Sequence, residues 1–222
     1  MQLPFLNYSI DQWIALAIIL FVSFPVHELA HAVTADRLGD PTPGSSGRLT
    51  INPVAHWDIM GTLVLLLTGG FGWAKPVPIN PYVLSRRSPA AVMWVSAAGP
   101  LSNFALAALA AIPFRLGLFD LTSGLSAGTL SPAIILLNFI RINLVLMLFN
   151  LIPLAPLDGE KVADYFFPPS WARVMDTIRP YGMLILLLLI FIVPYFFGVN
   201  IIGMVLNPAI SAITRFLTGL PL

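Results

Sequence analysis

The stretch Phe24-Pro25-Val26-His27-Glu28-Leu29-Ala30-His31-Ala32 decides how this chain is read, because it sets two imidazoles and a carboxylate in an almost wholly apolar run. Residues four apart on an α-helix stand about 40° apart around the axis and one turn up, so His27 and His31 can aim their nitrogens at one metal ion. Glu28, about 100° round from His27, can sit beside that ion and hold a water without being a ligand. Between residues 14 and 26 the only polar side chain is Ser23. An ionisable cluster placed in hydrocarbon costs several kcal/mol unless it is satisfied and used, so the pattern reads as a functional site within a membrane span.

The flanking composition agrees. Of 222 residues, 58% are hydrophobic and 9% charged, against about 25% charged in soluble domains. The chain is therefore expected to be an all-α polytopic membrane protein, with residues 1–222 forming a single transmembrane domain of four to six spans. A net charge of +1 argues against nucleic acid as a partner and leaves the lipid bilayer as the surrounding medium. Cysteine is absent, which excludes disulfides and thiolate metal sites and leaves His, Asp and Glu as ligands. Residues 1–12 lack the basic region and cleavage site of a secretory signal, so the first apolar run is expected to be a retained span.

That run extends over residues 13–35, long enough for the ~20 residues of a spanning helix. Residues 36–58 turn polar and rich in Gly, Pro and Ser, as a connection outside the membrane. His56, beside Trp57 in this loop, is expected at an interface rather than at the metal. The apolar stretch 60–68 is too short to cross ~30 Å of hydrocarbon and should dip in and return. Residues 71–80 follow, and their prolines and alternation suit an extended segment or a loop. Further spans are expected at 89–114, with Gly99-Pro100 and Asn103 inside, at 131–154 and at 181–199. Residues 201–217 form a weaker apolar stretch interrupted by Asn207-Pro208, expected to lie on the surface or to re-enter. On the 131–154 span, Asn143 and Asn150 share a face as an inward polar stripe.

Basic residues orient the spans. Residues 37–90 carry Arg37, Arg48, Lys75, Arg86 and Arg87, residues 155–180 carry Lys161, Arg173 and Arg179, and the loop 116–130 carries none. The first two regions are expected on the cytoplasmic side. This brings His27 and His31 to the cytoplasmic end of the first span and Asp158 to the cytoplasmic end of the third, at one depth. His27 lies roughly 12 Å inside the helix end, below the headgroups yet reachable by water.

These residues resemble the site-2 protease family of intramembrane zinc metalloproteases. The resemblance rests on His27-Glu28-Leu29-Ala30-His31, Asn52-Pro53 with Gly61-Thr62, Lys75-Pro76-Val77-Pro78, Ala98-Gly99-Pro100-Leu101-Ser102-Asn103, and Asn150-Leu151-Ile152-Pro153 running into Leu157-Asp158-Gly159. It implies one zinc ion held by His27, His31 and Asp158, Glu28 as catalytic base, and Asn150 near the substrate or the oxyanion. The chain departs from many members in lacking room for a PDZ or CBS domain and is expected to be one of the small forms. Two imidazoles and one carboxylate leave a fourth position open, the pattern of a catalytic rather than a structural site.

The expected function is a zinc endopeptidase that hydrolyses peptide bonds in or near transmembrane segments of membrane proteins. Such a substrate pairs its own amides within its helix and must unwind before attack. An extended edge over residues 72–79 can pair with the unwound strand, so Gly72, Trp73, Ala74 and Lys75 are expected substrate contacts, with Asn143 on the inward stripe. The alternative is a membrane metal-ion transporter or metal-binding protein. Only three histidines and carboxylates gathered at one depth favour cleavage over a path of metal stations. A bacterial or archaeal cell membrane is the expected location.

Overall fold

The computed structural model describes residues 7–119 and 131–221; most of the 116–130 loop, expected outside the membrane, falls outside these residues. Helix α1, Ile10–Arg37, begins in a reciprocal cap: the Ser9 hydroxyl accepts from the Gln12 N–H, and the Gln12 side chain accepts from the Ser9 N–H. The helix widens into a π turn over Ile19–Ser23, just before the histidine motif. Pro25 accounts for this, since its ring has no N–H and crowds the carbonyl one turn back, and a wider turn relieves the clash. The Leu20 carbonyl in that turn takes the indole N–H of Trp57 at 2.9 Å. A loop residue thereby satisfies the backbone group that the helix leaves over.

Residues 38–58 hold one helical turn at Thr42–Ser45 and a 3-10 turn at Pro53–His56. Helix α2, Ile59–Thr68, is capped by the Asp58 carboxylate on the Gly61 N–H and ends at Gly69, whose φ of +71° only glycine adopts freely. Ten residues reach about 15 Å, half of the hydrocarbon thickness and too short to cross it. Residues 71–79 come back extended. Trp57 and Ala74 form an antiparallel bridge, and the Lys75 N–H donates to the His56 carbonyl at 2.8 Å. Gly61 permits this approach, because any Cβ there would collide with the Trp73 carbonyl.

Helix α3 covers Pro81–Arg87, α4 Ala91–Arg115, α5 Pro132–Asn150, α6 Asp158–Phe166, α7 Pro169–Phe197 and α8 Ile201–Thr218. Helices α1, α4, α5, α7 and α8 are long and apolar enough to cross a membrane, so the chain is an all-α polytopic membrane protein. Helix α4 is the hub, packing against α1, α5, α6 and α8. Its buried Ala97, Gly99, Ala107 and Ala111 let neighbouring backbones approach closely, the usual source of cohesion where lipid removes the hydrophobic drive.

Several elements differ from the sequence expectation in their boundaries, among them the span expected at 181–199, which is observed as Pro169–Phe197. The span predicted to reach residue 154 ends at Asn150, because Pro153 and Pro156 hold residues 151–157 in turns. Asp158 consequently opens α6, a helix start that favours an acidic side chain. Residues 201–217 form one continuous helix through Pro208, with Leu206 and Ile210 buried against α4 and α5. Arg115, at the end of α4, caps the last turn of α8 through the carbonyls of Phe216 and Leu217.

A polar clasp holds the extended segment. The buried Asp40 carboxylate accepts from the Asn80 N–H at 2.6 Å and from the Thr42 N–H and hydroxyl. Burial opposes ionisation, but these donors outweigh it and hold the Asp40 carboxyl below its ordinary range. A depressed carboxyl contributes stability that is present above its unfolded value and is lost as pH falls through the folded one. Asp40→Asn is therefore expected to speed amide hydrogen exchange across residues 72–80 by at least about tenfold at neutral pH, the scale of one lost charge-assisted hydrogen bond. Wild type should show the same loosening only on acidification below the ordinary carboxylate range of about 3.9.

Candidate active site

Helix α1 delivers His27, Glu28 and His31 to a cavity of about 340 Å³. The start of α6 adds Asp158, the last turn of α5 adds Asn150, and the extended segment adds Gly72, Trp73 and Ala74 along one side. Apolar side chains including Phe149, Met183 and Leu186 complete the walls. His27, Glu28 and His31 are buried, and Asp158 retains 17% of its side-chain exposure.

Three ligand-type atoms meet in this cavity. The Nε2 atoms of His27 and His31 are 3.0 Å apart, and Asp158 Oδ2 lies 3.1 Å and 3.3 Å from them. Both imidazoles are oriented from behind: His27 Nδ1 lies 2.6 Å from Asn103 Oδ1, and His31 Nδ1 lies 2.7 Å from the Val95 carbonyl. Each Nδ1 facing an oxygen acceptor must carry the proton, which leaves each neutral Nε2 with its lone pair turned inward. Two lone pairs and a carboxylate oxygen then face one another with no donor between them. That is unfavourable in a buried place unless a cation binds them. Three atoms held tetrahedrally at about 2.0–2.1 Å from one zinc ion would lie roughly 3.3 Å apart. The triangle fits such an ion to within a few tenths of an ångström.

Gly99 on α4 backs this triangle. A Cβ there would lie under 3.0 Å from the Nε2 atoms of both histidines. Glu28 faces the same cavity, and among the described residues its carboxylate makes no hydrogen bond with the protein. Asn150 lines the cavity with one amide N–H on the Leu146 carbonyl at 3.0 Å, leaving its second N–H available.

Comparison with known proteins agrees with this arrangement. The chain is 38% identical over 220 residues, 97% of its length and 96% of the relative's, to the "Putative zinc metalloprotease YwhC" of Bacillus subtilis. It is 32% identical over 190 residues, 80% of its length and 68% of the relative's, to the "Putative zinc metalloprotease Rip2" of Mycobacterium tuberculosis. The chain belongs to the site-2 protease family. As a member it is a bacterial membrane zinc metalloprotease, which sets aside the transporter alternative. No family profile matches the chain, and no solved structure does.

Within this site-2 protease the sequence-predicted residues separate into two groups. His27, Glu28, His31, Asn150, Asp158, Gly72, Trp73 and Ala74 share the cavity. Lys75 is exposed outside its lining, and Asn143 is fully buried behind His27, so neither stands where a substrate contact was expected. His56 is buried in the loop with Nε2 2.8 Å from the Thr50 carbonyl, apart from the ligand triangle. The residues not assigned from sequence are Gly99 and Asn103, one helical turn apart on α4, and Lys161, one turn after Asp158 on the cavity wall. A glycine and an asparagine at i and i+4 in an apolar helix were the available signal.

Gly99→Ala is expected to abolish stoichiometric zinc binding while leaving helix content unchanged, since the new methyl collides with the Nε2 atoms of both histidines and the helix gains propensity. Metal analysis and far-UV circular dichroism of the purified variant check this together. Full zinc content would show that the ion sits elsewhere.

Proposed function

We propose that this site-2 protease cleaves peptide bonds within or beside transmembrane segments, from a site that opens toward the cytoplasm. His27, His31 and Asp158 hold the zinc ion. The support is the triangle of inward-facing acceptor atoms with edges of 3.0 to 3.3 Å. When bound, zinc supplies Lewis acidity that brings a coordinated water's pKa toward about 7.

The chain's own groups divide the remaining work. Glu28 takes a proton from the attacking water and returns it to the leaving amine, because it is the free carboxylate in the cavity next to the ligand helix face. Asn150 turns its second amide N–H toward the oxyanion that develops on the scissile carbonyl. The Gly72–Ala74 edge pairs with the unwound substrate backbone, whose amides would otherwise be left unsatisfied in an apolar cavity. The walls of Phe149, Met183 and Leu186 suit apolar side chains of a membrane segment. The cytoplasmic orientation follows from the basic residues of the 37–90 and 155–180 regions, which flank the ends of α1 and α5 nearest the triangle.

The purified protein in detergent or vesicles is expected to cut a fluorescent transmembrane peptide, and a chelator is expected to stop it. Glu28→Gln keeps size and shape but not basicity. It should retain zinc and lower the cleavage rate by at least about 10²-fold, the low end of general-base contributions. Release of zinc by this variant would make Glu28 a ligand, and wild-type cleavage would make another group the base. Asn150→Ala should keep zinc and KM while kcat falls roughly 10²–10³-fold, as for other single oxyanion donors. An unchanged kcat would remove Asn150 from the transition state.

A further inference from the structure

Behind the ligand triangle a line of amides crosses three helices. His27 Nδ1 on α1 lies 2.6 Å from Asn103 Oδ1 on α4. Asn103 Nδ2 donates to Asn143 Oδ1 on α5 at 2.9 Å, and Asn143 Nδ2 donates to the Phe139 carbonyl at 2.9 Å. Asn103 and Asn143 are both fully buried, in the apolar interior between α4 and α5. Neither lines the cavity.

An asparagine amide can usually be turned either way, but this line has one orientation. The Phe139 carbonyl can only accept, so the Asn143 nitrogen must face it. The Asn143 oxygen then faces Asn103, which must present its nitrogen, and the Asn103 oxygen faces His27. Reversing either amide would set oxygen against oxygen or leave a buried donor unpaired, at a cost of about 1–3 kcal/mol for each unsatisfied group. The backbone carbonyl at Phe139 thus dictates, through two side chains, that His27 carries its proton on Nδ1 and keeps the Nε2 lone pair for the cavity. His31 needs no such line, because its Nδ1 meets the Val95 carbonyl directly.

We propose that Asn103 and Asn143 are positioning residues, a directional hydrogen-bond relay that fixes the tautomer and ring orientation of His27 for the metal. The inference rests on the assignment of His27 as a ligand. It explains why two amides are buried in the apolar interior of the bundle, where polar groups are retained only when satisfied and used. It also predicts an ordered dependence: Asn143 acts on His27 only through Asn103.

The test measures zinc dissociation constants by chelator competition, with Co²⁺ absorption spectra of the substituted protein as a report on ligand geometry. His27→Ala is the reference arm. It should lose zinc outright; if it retains wild-type affinity, the ligand assignment fails and the relay with it. With that loss established, Asn103→Leu and Asn143→Leu should each weaken zinc binding about 10- to 100-fold, the usual effect of removing a partner behind a ligand. Both should alter the Co²⁺ spectrum. The double variant should be no weaker than Asn103→Leu alone, because a serial relay is already broken. Additive losses would make the two residues independent packing elements and overturn the relay, as would folded single variants with unchanged affinity. Asn103→Asp supplies a reading that survives if the leucine variants do not fold. Its carboxylate accepts from His27 Nδ1 without help, so zinc affinity should stay within a few-fold of wild type, and adding Asn143→Ser should change it no further. A tenfold loss in Asn103→Asp, or renewed sensitivity to Asn143→Ser, would refute the proposal.

Discussion

Everything in this molecule turns on three acceptor atoms that face one another at 3.0 to 3.3 Å inside an apolar bundle. Without a cation the arrangement is unfavourable, because buried acceptors face one another with no donor between them. Each acceptor must therefore be held in place by something firmer than its own preference. The Val95 carbonyl holds His31, the Asn103 amide holds His27, and the start of α6 holds Asp158. A backbone carbonyl, a buried amide and a helix terminus share one property: none can turn away without leaving another polar group unpaired.

Helix α4 carries most of this burden. It supplies the Val95 carbonyl and Asn103, and at Gly99 it supplies the absence of a side chain that would collide with both histidine Nε2 atoms. Its small buried residues bring α1 and α5 close enough for the contacts to form. Specialisation on α1 is local by comparison. Pro25 widens the turn before the motif, and Trp57 repairs the carbonyl left over, so a loop that also bears the bridge to Ala74 is tied to the depth of the motif. The extended segment is in turn fixed at its far end by Asp40. The acceptor triangle and the segment around Ala74 are thus referenced to the same helix by a short run of hydrogen bonds.

How much of this was legible beforehand differed by residue. His27, Glu28 and His31 are close in sequence, and helical periodicity alone places them on adjoining faces. Asp158 could be brought to their depth by counting spans and basic loops, since the membrane reduces a three-dimensional question to one coordinate. That α2 is too short to span followed from its length against bilayer thickness. Asn143 shows where such counting stops. Its place on the inward stripe with Asn150 was readable, but whether it met the cavity or the back of His27 depended on which neighbour α5 packs against, and it meets Asn103 on α4.

The sequence by itself determined the apolar spans and the placing of His27, Glu28 and His31 on adjoining faces of one helix, because these follow from hydrophobic length and local periodicity. Only the tertiary structure decided which atoms face which. The hydrogen-bond-range contacts that bring Asp158 to His27, Asn103 to His27 and Asn143 to Asn103 join residues 40 to 131 positions apart. Their geometry is set by helix packing, where a rotation of one helix would send Asn103 to lipid instead of to His27, and no pattern along a single helix records that rotation.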